Sequence, residues 1–244
     1  MKTLALLILG VPLFVTLFVR PASALSVPER LVYDVSWTGI KAGTAVQEVT
    51  AQGKELRIVY TVRSAGWLAP IFSVDDRTES VLSRGSETDP IGIPRFYREK
   101  LNEGKTHTHK EAQFDQTRLK VVTKDLLKKT EKTDSISART FDTLSGIYFL
   151  RSSDIELGKP IFIDIYDCKR LWKAEARVVR REEISTSLGK FKTLVVKLLL
   201  KSEGRTSDMT VWLTDDRQRL LVRMTSKLKV GEITTRLVGG SYWP

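Results

Sequence analysis

The chain has 244 residues, with 40 Lys and Arg against 29 Asp and Glu, a formal net charge of +11. At 41% hydrophobic it is not a disordered chain, and its one Cys cannot make an internal bridge, so a disulfide scaffold is excluded. The length suits one large domain or two small ones, with a core that buries roughly 70% of the unfolded surface.

The N-terminus carries Lys2, then the uncharged run Thr3–Val19, then Ala22-Ser23-Ala24. A basic start, an apolar stretch and a small-x-small site predict a secretory signal over residues 1–24, cleaved after Ala24. The apolar run holds Pro12 and falls short of the roughly 20 residues that a spanning helix needs. The expected product is an exported, periplasmic protein comprising residues 25–244 as a single β-rich domain. Lone Cys168 would then meet an oxidising compartment, and its strand-like run Phe162–Cys168 predicts a buried, inert thiol.

Strand signals dominate the rest. Leu31, Tyr33, Val35 and Trp37 alternate with Val32, Asp34 and Ser36 at period two. Ala45–Thr50 and Leu56–Arg63 follow, separated by the turn Gln52-Gly53-Lys54. Gly66–Phe72 is apolar but contains Pro70, so it predicts a helix of two turns at most. Asp142–Arg151 starts with a capping residue and ends with a basic one, and Leu144, Ile147, Tyr148 and Leu150 recur at helical spacing. Beyond it, Leu194, Val196, Leu198 and Leu200 predict a strand entered from the turn Leu188-Gly189-Lys190. Leu220, Val222, Met224, Leu228 and Val230 share one parity, with Arg223, Thr225, Lys227 and Lys229 on the other, and Gly231-Glu232 turns into Ile233–Val238.

About a dozen such runs occur at spacings of roughly 8–14 residues, with no βαβ alternation. The fold class expected is all-β: an antiparallel meander of about 12 strands curled into a barrel or half-barrel, with two short helices.

The chemical motifs are sparse. His107 and His109, two apart in a strand, point to one side, but a metal site needs a third ligand, so an exposed hairpin tip is expected and no metal site. Asp75-Asp76 and Asp215-Asp216 are adjacent pairs, which diverge in a strand, and the second reads as a turn. No Gly-x-Ser-x-Gly elbow, phosphate loop, dinucleotide fingerprint or HExxH is present, so no catalytic residue and no cofactor is assigned. Lys124, Lys128, Lys129 and Lys132 form the densest basic run, with Asp125 and Glu131 among them. Solvated faces of mixed sign explain such runs; the sharper reading is attraction to an anionic membrane surface or glycan. Nucleic acid is not an expected partner of an exported chain without a recognisable binding motif. The aromatic residues Trp37, Trp67, Phe72, Tyr148 and Trp212 lie in or beside the two helical segments and the best strands, and form the candidate contacts for an apolar ligand.

Three stretches together carry a resemblance: Leu31–Gly43 (LVYDVSWTGIKAG), the helix start Asp142-Thr143-Leu144-Ser145 with Tyr148 and Arg151, and Val211–Gly231 (VWLTDDRQRLLVRMTSKLKVG). The chain resembles the bacterial domain-of-unknown-function family 3108 from about residue 28 to 238. The Tyr-x-x-x-Trp-x-Gly opening and the Trp-Leu-x-Asp-Asp close are specific in combination. The resemblance implies exported β-rich proteins and supplies no catalytic residues. In architecture the chain is also similar in kind to periplasmic lipoprotein-carrier half-barrels, an analogy of fold only.

The leading expectation is a non-enzymatic periplasmic protein that binds or carries an apolar or amphipathic envelope ligand, such as a lipid, on its concave face. The alternative is an envelope interaction or scaffold protein that contacts an anionic glycan or a protein partner. A hydrolase of an envelope polymer built on Asp75, Asp76, Asp215 or Asp216 stands third.

Overall fold

The computed structural model describes residues 25–83, 85, 91–228 and 231–243; the predicted signal segment lies outside them. The described residues form one sheet of 15 strands: β1 (Glu29–Trp37), β2 (Ile40–Gln52), β3 (Glu55–Ser64), β4 (Asp75–Ser83), β5 (Ile93–Glu103), β6 (Thr106–Asp115), β7 (Lys120–Asp125), β8 (Thr130–Ser135), β9 (Thr140–Asp142), β10 (Pro160–Tyr166), β11 (Leu171–Thr186), β12 (Gly189–Ser202), β13 (Arg205–Thr214), β14 (Leu221–Leu228) and β15 (Gly231–Gly240). Among the described residues one helix, α1 (Thr143–Ser152), interrupts it after β9.

The strand order is β8 to β1 in descending sequence, then β15 to β9. Neighbours in sequence are therefore neighbours in space, as short turns dictate, and β1 joins the two halves by pairing antiparallel with β15. All pairings are antiparallel except the short parallel β9–β10. The hydrogen-bonded ladder is open between β8 and β9, but side chains span the seam. Thr123 of β7 bonds the Tyr166 hydroxyl of β10 at 2.8 Å, Tyr166 donates to Asp134 of β8, and Lys132 donates to the Lys169 carbonyl at 2.7 Å. The sheet has curled until its first and last strands face each other.

Period two explains which faces meet. On β11, Ala174, Ala176 and Val178 are buried while Lys173 and Arg177 face solvent; on β12, Leu194, Val196 and Leu198 enter the same core. Bulges at Val32/Tyr33, Val35/Ser36, Val178/Arg180 and Trp212/Leu213 add local twist, which lets long strands wrap.

Three expectations change. The strand count is 15 rather than about 12, because the basic run Lys124–Lys132 is the hairpin β7–β8, whose β8 sequence TEKTDS carries no apolar alternation to read. Gly66–Phe72 is not a helix. Ala69 N–H reaches the Ala65 carbonyl at 3.0 Å and Phe72 N–H the Leu68 carbonyl at 2.7 Å, but Pro70 has no N–H to join these turns. Cys168 lies in the β10–β11 turn rather than in a strand, at φ 62°, and is buried.

The second helical segment forms as the sequence indicates. Asp142 caps α1, accepting from the Leu144 and Ser145 amides at 2.9 Å each, and Ser145 Oγ returns a bond to the Asp142 amide. Arg151 stands in the last turn, where the helix dipole favours a cation.

Candidate functional site

Helix α1 lies inside the curled sheet and divides its interior. Toward the starts of β1, β3 and β5 and the ends of β2 and β4, the space is filled. Val49, Leu56, Ile58, Leu82 and Ile91 pack around Tyr148, and all are buried. Above them sits a polar knot. Arg151 makes a two-pronged bond to Glu29, 2.7 Å on each arm, with both side chains almost wholly buried. Tyr148 and Tyr242 add hydroxyl bonds to the same carboxylate at 2.7 and 2.9 Å. Burial alone would raise the Glu29 pKa, but the Arg151 and tyrosine bonds outweigh it and hold it below the usual carboxylate range.

On the other side of α1 the interior is not filled. A cavity of about 380 Å³ lies between the helix residues Thr143, Gly146 and Ile147 and the concave sheet face. Leu198, Leu200, Met209, Leu221 and Met224 form one wall, and Tyr33, Tyr60, Val62, Leu101 and Ile165 the rest. The bulge between Trp212 and Leu213 explains how Leu221 and Met224, of opposite parity, both face inward: the extra residue flips the alternation between them. The helix face here is small because Gly146 packs on Ile165; a Cβ at that position would lie 3.3 Å from the Ile165 Cδ1.

Polar groups are a minority of the lining: Gln47 of β2, Thr143 of α1 and Thr235 of β15 reach it from around the wall, and both carboxylates lie on the neighbouring strands β4 and β5. Asp76 and Thr78 of β4 and Glu103 of β5 line the cavity. Asp76 accepts the Asn102 amide at 2.8 Å, while desolvation first, and repulsion from Glu103 and Asp75 after it, push its pKa up. Glu103 is exposed, so the cavity opens to solvent there. Burial lifts the Tyr60 hydroxyl to about 12. Tyr33 is buried, and its hydroxyl has no hydrogen-bond partner among the described residues.

The five aromatic residues read from the sequence are dispersed, and none of them lines this cavity. Tyr148 faces the filled end. Trp212 lies on the outer face of β13, opposite in parity to the core residues Val211 and Leu213; its indole donates to Glu182 and the Arg223 guanidinium stacks 4.6 Å above it. Trp37, Trp67 and Phe72 are 42%, 52% and 48% exposed. They stand at the loops of the open end: Trp37 faces Ile40 across the β1–β2 turn, Trp67 donates to the Lys41 carbonyl at 3.0 Å, and Phe72 packs on Gly104 beside Glu103. Sequence reasoning missed the cavity walls because Met209, Met224, Tyr60 and Leu200 sit on ordinary strands, with nothing local to separate them from core.

The other motifs resolve simply. Asp216 builds the expected turn, accepting from the Gln218 and Arg219 amides at 2.9 and 3.0 Å, and Asp215 pairs with Arg181. Asp75 and Asp76 diverge, Asp75 outward to Arg63 and Asp76 inward. His107 bonds Asn102 Oδ1 at 3.1 Å, and among the described residues no group of three His, Cys, Asp or Glu could hold a metal. Burial raises the Cys168 thiol pKa well above its ordinary value.

A second hollow, about 1030 Å³, is polar and lies across the β8–β11 seam and the β12–β13 turn. Lys132, Lys169, Arg170, Lys173, Lys201 and Arg205 line it, with Asp134 and Glu203.

The family model described as protein of unknown function DUF3108 matches residues 32–238. None of the curated proteins matches the chain. Among solved structures it is similar to a beta-barrel-like protein of domain of unknown function DUF1849 from Brucella abortus. The TM-score is 0.61 at 15% identity, over 88% of this chain and 98% of that one. A more distant likeness, TM-score 0.35 at 10% identity, is to a protein provisionally described as exported, with a YmcC-like fold, from Bacteroides fragilis; it covers 90% of this chain and 98% of that one. At the identity of the Brucella protein, the likeness shows a shared barrel-like fold. No helix among the described residues is long and apolar enough to cross a membrane.

Proposed function

The chain belongs to the DUF3108 family, whose function is unknown, and we propose that it is an exported, periplasmic, non-enzymatic protein that holds an apolar or amphipathic cell-envelope ligand in the cavity beside α1. The observation that carries this reading is the cavity itself. Its volume falls in the range of roughly 300–1,000 Å³ typical of small-molecule sites, and its wall is mostly apolar with a minority of polar groups, both carboxylates among them on neighbouring strands. Export rests on the signal-like residues 1–24. The non-enzymatic reading rests on the sequence, which carries none of the nucleophile, phosphate-loop or metal-protease motifs.

The mouth supports an envelope source for the ligand. Trp37, Ile40, Trp67, Ile71 and Phe72 are exposed on the loops of the open end, Ile71 by 79%. Exposed tryptophan and aliphatic side chains beside a cavity mouth suit contact with a lipid interface, where an apolar ligand is collected or delivered.

Native mass spectrometry with lipid extraction, on protein exported to the periplasm and purified without detergent, tests the reading. A co-purifying acyl or other apolar species is expected, and Met224→Trp, which fills the cavity, should lose it. An empty wild-type protein that also fails to bind a fluorescent apolar probe would overturn it.

The seam hollow favours a second reading, contact with an anionic glycan or anionic protein partner of the envelope. Its six cations face two acids. Such binding should weaken with salt as its charges are screened, and Lys201→Glu with Arg205→Glu should abolish retention on an anionic polysaccharide matrix.

A further inference from the structure

The chain carries 40 Lys and Arg, yet among the described residues the only ionisable side chains that line the cavity, besides its two tyrosines, are Asp76 and Glu103. Cations collect instead in the seam hollow, on the other face of the sheet: Leu200 points into the cavity and Lys201, next in β12, into the hollow. The cavity is therefore acidic at its mouth and apolar within, inside a strongly basic protein.

Two observations bear on what it takes. Asp76 and Glu103 lie close enough to repel one another, and a bound cation relieves that repulsion. Tyr60 and Asp76 are diagonal neighbours across the β3–β4 ladder, two residues out of register, since Tyr60 faces Thr78 and Val62 faces Asp76, and both line the cavity, so an aromatic ring and the carboxylate share one face. Rings and carboxylates together form the usual environment of an ammonium group.

Resting on the ligand-binding reading above, we propose that the cavity selects amphiphiles whose polar end is a cation, an amine or alkylammonium, held by Asp76 and Glu103 with the apolar chain against Leu198, Leu200, Met209 and Met224. An anionic amphiphile of the same chain would place its charge against both carboxylates, and would be rejected.

Isothermal titration of the full exported protein with decylammonium, decanol and decanoate at neutral pH tests this. Decylammonium is expected to bind at least about tenfold more tightly than decanoate, with decanol between them. In the double variant Asp76→Asn with Glu103→Gln the preference should vanish while decanol affinity is retained. The Asp76→Asn change keeps a side-chain oxygen that can accept the Asn102 amide, so the β4–β5 edge survives, and circular dichroism checks it. Equal affinity for the three probes, or a preference that persists in the double variant, would overturn the cation inference and leave the cavity reading standing. Failure of all three, decanol included, would overturn both.

Discussion

The two ends of the interior are made of similar parts and use them in opposite ways. At the filled end a buried carboxylate, Glu29, meets a guanidinium and two tyrosine hydroxyls, and its charge is kept. At the open end Asp76, which lines the cavity, accepts the Asn102 amide at 2.8 Å and is repelled by Glu103. A third buried carboxylate lies at the seam: Glu99 of β5 is 7% exposed, with one oxygen lacking a hydrogen-bond partner among the described residues, and desolvation pushes its pKa from 4.5 to about 7 despite Lys169 and Lys110 nearby. The contrast separates structure from site. A paired buried charge fixes α1 in one place, whereas a desolvated carboxylate without a cation costs stability.

The comparison breaks most sharply at the ion pair. Arg151→Met leaves Glu29 buried without its cation and should cost about 3–5 kcal/mol in denaturant unfolding. Adding Glu29→Met should recover part of that loss. If the double variant is no better than the single, the guanidinium acts through packing on Tyr148, 4.6 Å away, rather than through charge.

pH divides Glu29 from Glu99 by sign. Glu29, held low when folded, contributes stability that is full above its unfolded pKa and lost as pH falls. Glu99, held high, binds a proton more readily in the folded state. Its contribution is full below 4.5 and is lost as pH rises through about 7. Glu99→Gln should remove this alkaline decline and raise stability near pH 8 by up to about 3 kcal/mol. An unchanged pH profile would show that Glu99 is solvated.

Packing separates the ends next. Leu213→Ala, in the filled core, should cost about 2–5 kcal/mol, while Met224→Ala, facing the cavity, should cost about 1 kcal/mol because little contact is lost. Equal costs would mean that the cavity collapses in solution. Smallest of all, Trp67→Ala should change stability by only about 0.5 kcal/mol, since the indole is exposed, yet reduce binding to anionic phospholipid vesicles several-fold in co-sedimentation.

Much of the architecture was legible in the chain. Period-two runs announced β1, β3, β12 and most of β14, because alternation is what a half-buried strand needs. Gly53, at φ 57°, marked the β2–β3 turn, and Asp142 announced the start of α1 through its capping chemistry. What escaped was polar or interrupted. β8 shows no alternation, and Pro70 left the Ala65–Phe72 turns short of a helix.

The site was far less legible. Of the aromatic residues read from the sequence, Trp37, Trp67 and Phe72 lie on the loops at the end where the cavity opens, and none of the five lines its interior. The sequence by itself determined that this is an all-β chain with a capped helix near its middle and the marks of its family, since those follow from local periodicity and short motifs. The tertiary structure alone decided that Glu29 meets Arg151, 122 positions away, that a bulge turns both Leu221 and Met224 inward, and that the space beside α1 stays empty at one end. Alternation states which face of a strand is covered. Whether packed side chains or a cavity cover it depends on curvature and on residues brought together from distant strands, which no local pattern encodes.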